Sequence, residues 1–145
     1  MKVSELMTRD VACVQRTDTI QRAAQIMKDR NVGSVPVCEN KKVLGMVTDR
    51  DITLKAVAAG KSCDTPVESC MTAQAVSCSP ETDAHEAADL MARHQIRRLP
   101  VCDSSGNLVG ICAIGDLATV DIHVNEAGDA LSEISRPTQG QNALH

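Results

Sequence analysis

A chain of 145 residues fits one compact domain, and 15 basic against 19 acidic residues, a net charge of −4, exclude a general nucleic-acid binder, which carries a basic surplus. Phe, Tyr and Trp are absent, so the core must be built from aliphatic side chains, Met and Cys, and bases cannot be held by aromatic stacking.

The elements come in chain order, and they come twice. A short opening segment, 3–8, is followed by a strand predicted over 11–14. Asp18 with Gln21 forms a candidate capping box for a helix whose apolar stripe is Ile20, Ala23, Ala24 and Met27. An apolar strand over 34–38 contains Pro36, which needs a sheet edge or a position where no hydrogen bond is donated. Residues 39–42 make a polar hairpin turn into a strand over 43–47, and a helix is predicted over 48–59 with Gly60 as its stop.

A connector over 61–66 leads into the second copy. Its strand is predicted over 75–78, and its helix starts at 80–83 and carries Ala84, Ala87, Ala88 and Met91. A hairpin of 99–102 and 108–114 turns at 104–107, and a last helix begins near Gly115-Asp116. After Val124, a short helix is expected over 129–134 and a polar tail over 136–145.

Sliding the chain by 64 residues superposes Met7-Thr8 on Met71-Thr72, Ala23-Ala24 on Ala87-Ala88, Met27 on Met91 and Pro36-Val37-Cys38 on Pro100-Val101-Cys102. An offset of 65 then puts Gly45 on Gly110 and Asp51 on Asp116. The organisation expected is repeat 1 over 1–60, connector 61–66, repeat 2 over 67–124, and a C-terminal short helix and tail over 125–145. The fold class expected is α/β. Two β-α-β-β-α repeats are related by a pseudo-twofold, their sheets packed face to face with a cleft on each side.

The chemistry concentrates where each hairpin runs into a helix. Thr48 and Asp51 have the spacing of a capping box. The same geometry would suit a nucleotide: free N–H groups at a helix start attract phosphate, Thr48 adds a hydroxyl, and the Asp51 carboxylate matches the two hydroxyls of a ribose. The second copy keeps the acid as Asp116 but has Ala113 in place of the threonine. Arg50, between two aspartates, is expected first in a surface ion pair and second on phosphate.

The seven cysteines lack a CxxC and lie mostly in apolar runs, which fits buried thiols in a reducing cytosol better than a zinc site. Cys63 and Cys70, near the connector, are candidates for exposed thiols. The four histidines show no metal spacing, and no nucleophile stands beside a base, so neither a metal site nor a catalytic residue is assigned. No signal peptide and no apolar run of membrane-spanning length is seen, so a soluble cytoplasmic protein without membrane contact is expected.

The motifs 5–8 and 69–72 at the unit starts, 34–37 and 97–101 in mid-unit, and 45–51 echoed by 110–116 resemble a tandem pair of CBS domains, a Bateman module. The resemblance covers roughly residues 1–124 and is similar to small stand-alone bacterial two-CBS proteins. It implies a non-catalytic module that binds adenosine compounds as ligands rather than cofactors: AMP, ADP or ATP, with NAD and S-adenosylmethionine as further candidates. It implies ribose and phosphate contacts at Thr48, Asp51, Asp116, Arg97 and Arg98, to which Arg50 adds its second role, on phosphate, from its position alone. The adenine pockets would be lined by Val11, Ala12, Cys13, Val35 and Pro36 in one repeat and by Ala75, Val76, Ser77, Leu99 and Pro100 in the other. It further implies a homodimer through helices carrying Ile52, Leu54, Val57, Leu117 and Val120, and an effector protein addressed in trans. Arg97 and Arg98 are also readable as surface arginines, and the whole chain as an interaction scaffold with one or both clefts silent.

Overall fold

The computed structural model describes residues 1–73, 76–118 and 134. It divides into two compact units: one holds Met1–Asp10, Val76–Ser105 and Val109 onward, the other Val11–Ala75 with Gly106–Leu108. The opening ten residues therefore pack with the second repeat's elements.

The unit of the first repeat is a four-stranded sheet in the order β1-β2-β3-β4, with β1 Val14–Gln15, β2 Ser34–Glu39, β3 Lys42–Thr48 and β4 Thr72–Ala73. Helix α1, Ile20–Arg30, lies between β1 and β2, and helix α2, Asp49–Ile52, follows β3 and continues as a single π turn, Thr53–Val57. β1 runs parallel to β2 through Val14↔Val37 and Gln15↔Cys38, while β3 runs antiparallel to β2 and β4. The β2–β3 turn has both central residues, Asn40 and Lys41, at positive φ (50° and 68°), the twist of a two-residue type I′ hairpin.

The strand expected over 11–14 shrinks to Val14–Gln15. Pro36 explains this, because the parallel ladder begins at Val37, the first residue past the proline, whose nitrogen has no hydrogen to donate. The same rule acts in the second unit. There the described part of the strand expected over 75–78, residues 76–78, makes a single bridge, Cys78↔Val101, just past Pro100. Cys78 N donates to Pro100 O and Cys102 N donates to Cys78 O, so the proline is bypassed on both sides. Pro36 itself lies in an interior strand, not at an edge.

The helix caps also shift by one residue. Thr19, not Asp18, caps α1 by accepting from Arg22 N, and Asp18 Oδ2 instead accepts from Gln15 N at 2.8 Å. In the other unit Thr82 holds the equivalent turn through Ser79 N, and Asp83 caps helix α3, Ala84–His94, through His85 N. The order Asp-Thr in one copy and Thr-Asp in the other fills the same two roles. Both helices end on a left-handed residue, Asn31 (φ 54°) and Gln95 (φ 53°), and the next residue's N–H reaches back to Met27 O or Met91 O. The predicted stop at Gly60 is present at φ 75°, with Lys61 N donating to Ala56 O.

The core of the first repeat's unit packs Val14, Ile20, Ala23, Ile26, Met27, Val35, Val37, Val47, Ala56, Val67 and Cys70. Ala24 is exposed and Ile26 takes its place in the buried stripe of α1. The second unit contains α3, β5 Arg98–Cys102, β6 Leu108–Ala113 and helix α4, Ile114–Ala118. Its core joins Val3, Cys78, Ala84, Ala87, Ala88, Met91, Leu99, Val101, Cys112 and Leu117, with Ile134 packed against it. Thr8 bridges Ile111 at the edge of β6, the place that Thr72 takes beside β3. The helix expected over 129–134, apart from Ile134, and the tail over 136–145 lie outside the described residues.

Candidate functional site

Strand β3 delivers Thr48 to the start of α2 in extended backbone, so the capping box forms in full: Asp51 N donates to Thr48 Oγ1 at 2.9 Å and Thr48 N donates to Asp51 Oδ2 at 3.1 Å. The other early N–H groups are also engaged, Asp49 N with Gly33 O at 3.0 Å and Arg50 N with Asp49 Oδ1 at 2.8 Å. The expectation of free N–H groups for phosphate at this helix start is therefore corrected: N1 to N3 are satisfied within the chain. What remains available is the carboxylate. The Asp51 side chain is 13% exposed, and its second oxygen, Oδ1, lies 3.2 Å from Lys55 Nζ. Lys55 belongs to none of the sequence motifs, although an acid and a lysine four apart on a helix are a recognisable pair.

Ser34 is the cross-strand neighbour of Thr48. Its hydroxyl oxygen is shielded from water and has no hydrogen-bond partner among the described residues. A buried unsatisfied hydroxyl is uncommon and calls for an explanation.

The second copy repeats the frame without the hydroxyl. Ala113 N donates to Asp116 Oδ2 at 2.8 Å, and Ile114 N donates to Arg97 O at 2.9 Å, as Asp49 N does to Gly33 O. Asp116 is half-buried. Arg97 is exposed and Arg98, the first residue of β5, is half-buried; neither makes an ion pair among the described residues. Arg50 is exposed and likewise has no ion pair there, so its expected surface pair is absent.

Of the residues proposed to line adenine, Val35, Pro36, Leu99 and Pro100 are buried in β2 and β5. Val11, Ala12 and Val76 are half-buried, with Ala12 and Val76 packed against the cores, while Cys13 and Ser77 are exposed. Ala75 lies outside the described residues. Thr48, Asp51 and Ser34 are thus brought together at one end of the β2–β3 hairpin, and Arg97, Ala113 and Asp116 at the matching end of β5–β6.

All seven cysteines are free thiols. Cys63 is exposed as expected, whereas Cys70 is fully buried because it packs into the first core. Burial pushes the Cys78 thiol up to about 11, helped by Cys102, and the Cys112 thiol up to about 12, helped by Asp116. Among the described residues no helix is long and apolar enough to cross a membrane.

The CBS domain family model matches residues 3–57 and again 67–123. The CBS domain-containing protein YhcV of Bacillus subtilis is 48% identical over 133 residues, covering 92% of this chain and 94% of its own. Hypoxic response protein 1 of Mycobacterium tuberculosis is 34% identical over 116 residues, covering 79% and 80%. Among solved structures, the CBS domain protein PAE2072 of Pyrobaculum aerophilum complexed with AMP aligns with a TM-score of 0.78 at 29% identity, covering 88% of this chain and 98% of its own. The chain therefore belongs to the CBS-domain family and carries two CBS domains in tandem, a regulatory module of α/β fold.

Proposed function

We propose that this pair of CBS domains is a non-catalytic sensor of adenosine-containing nucleotides that signals to a separate protein. The observation that carries the reading is the repeated carboxylate. Asp51 and Asp116 stand at the same place in the two repeats, half-buried, each fixed by a backbone N–H from the residue three before it. A rigid, partly desolvated carboxylate is a natural acceptor for a vicinal diol, which ribose supplies and deoxyribose does not. The orphan hydroxyl of Ser34 gains a partner if a polar ligand sits beside Thr48. Arg97, Arg98 and Arg50 supply cation for phosphate now that the helix start of α2 is occupied. Adenine would lie against Val11 to Cys13 with Val35-Pro36, and against Ala75 to Ser77 with Leu99-Pro100.

AMP heads the ligands to try, since PAE2072 is described in complex with it; ATP, NAD and S-adenosylmethionine follow. Seven free thiols suit a reducing cytoplasm. The exposed apolar residues Leu54 and Val57 are proposed to join two copies of the module.

The test is thermal unfolding with each nucleotide, followed by calorimetry. A ligand at a hundred times its Kd stabilises the fold by about 2.7 kcal/mol. No shift with any of the four at millimolar concentration rejects nucleotide sensing and leaves an interaction scaffold.

A further inference from the structure

Lys55 joins two parts of the first repeat's unit. Its ammonium has three N–H groups and three acceptors around it: Asp51 Oδ1 at 3.2 Å, Cys70 O at 3.2 Å and Thr72 Oγ1 at 3.5 Å. Lys55 therefore ties the carboxylate at the start of α2 to the segment that carries β4. That segment is firmly placed, since Thr72 pairs with Met46 and a Cβ on Gly45 would meet Thr72 O at 2.5 Å.

We propose that Lys55 is a latch on Asp51, which a ribose must displace and which then transfers its hold to the Cys70–Thr72 segment. This rests on the reading of Asp51 as the ribose carboxylate. A diol that chelates Asp51 needs an accepting position on each oxygen. Oδ2 keeps one accepting position beside the fixed Thr48 N, whereas at Oδ1 the Lys55 ammonium competes with a ribose hydroxyl for the approach. The Lys55 side chain is 46% exposed on a flexible stem, so it can swing away, and two of its three acceptors stay in place when it does. Departure of the ribose returns the ammonium to Oδ1. The occupied and empty states thus differ in whether Lys55 ties the start of α2 to the segment leading into β4. The second repeat has no lysine at the matching position, since four residues after Asp116 the sequence has Val120.

The experiment is calorimetry with adenosine and with AMP on the full chain and on Lys55→Met, Asp51→Asn and Asp116→Asn. Adenosine is decisive because it carries no phosphate for Lys55 to attract. The latch predicts that Lys55→Met tightens adenosine about twofold to fivefold, the range of a partly exposed ion pair, at the site that Asp51→Asn abolishes. The site sensitive to Asp116→Asn should keep its affinity. Unchanged or weaker adenosine binding in Lys55→Met, with Asp51→Asn still damaging, overturns the latch and leaves the ribose reading standing. Indifference of both ligands to Asp51→Asn and Asp116→Asn overturns the ribose reading, and the latch with it. Lys55→Gln, judged against its own melting curve, repeats the measurement should the Met variant fold poorly.

Discussion

The carbonyl oxygen of Thr72 rests against Gly45 so closely that a Cβ built on the glycine would lie 2.5 Å from it. In the other unit Thr8 O stands 2.9 Å, and Met7 Sδ 2.6 Å, from a Cβ on Gly110. Both glycines therefore serve as seats for a Met-Thr segment, independent of any ligand. Gly45→Ala forces backbone to move and should cost about 1–3 kcal/mol. Gly110→Ala should cost less, because Met7 Sδ ends a flexible side chain and the backbone contact, Thr8 O at 2.9 Å, is milder than Thr72 O at 2.5 Å. Gly115, in α4, has nothing within 4 Å of its Cβ position, so Gly115→Ala should stabilise by about 0.5–1 kcal/mol. Denaturant melts of the three variants check the order; equal costs at Gly45 and Gly115 would refute the seating.

The two helix starts differ by one hydroxyl, and that difference can be exchanged. Thr48→Ala leaves Asp51 N without its 2.9 Å acceptor and should cost about 1 kcal/mol. Ala113→Thr completes the box around Asp116, whose carboxylate already accepts from Ala113 N, and should stabilise by about 0.5–1 kcal/mol. Chemical denaturation of both variants measures these changes. A destabilised Ala113→Thr would mean that the second helix start cannot accommodate the branch.

Much of this molecule was readable beforehand, and the failures have local causes. Periodicity and capping chemistry found α1, α3, both hairpins and the Gly60 stop, because each is set by neighbours in sequence. The strand expected over 11–14 and the described part, 76–78, of the one expected over 75–78 are shorter in the structure, because Pro36 and Pro100 interrupt the ladder they need and alternation cannot show it. The destination of the opening segment was not readable at all. Met7-Thr8 and Met71-Thr72 are the same dipeptide facing the same kind of glycine strand, and local sequence cannot say which copy seats which. At the site, spacing alone pairs Thr48 with Asp51, whereas the engagement of Asp49 N depends on Gly33 O, a residue distant in sequence that local spacing cannot supply.

The buried thiols predict an alkaline limit to stability. Cys78 and Cys112 have folded values of about 11 and about 12, above the ordinary 9.0, so the folded chain holds these protons more tightly than the unfolded one. Their contribution is full below pH 9 and is lost as pH rises through the folded values. Melting temperature should therefore fall steadily above pH 9, and the fall should be shallower in Cys112→Ala, whatever its absolute stability. At neutral pH, alkylation should label the exposed Cys13 and Cys63 before either buried thiol. Early labelling of Cys112 would contradict its placement in the core.

The candidate dimer surface narrows to two residues. Leu117 is fully buried in its own core and Ile52 packs partly against the other, while Val120 lies outside the described residues. That leaves Leu54 at 50% and Val57 at 66% exposure, both on the single π turn after α2. Single exposed apolar residues are ordinary, but a Leu and a Val exposed on one turn have reason to be covered. The double variant Leu54→Glu, Val57→Glu should shift the protein from dimer to monomer in sedimentation or light scattering. Its monomer stability should stay within about 0.5 kcal/mol, because neither side chain fills a core. A dimer that persists through both substitutions places the interface elsewhere. A chain that is monomeric before substitution removes the dimer from the proposal and leaves the nucleotide site to be judged by itself.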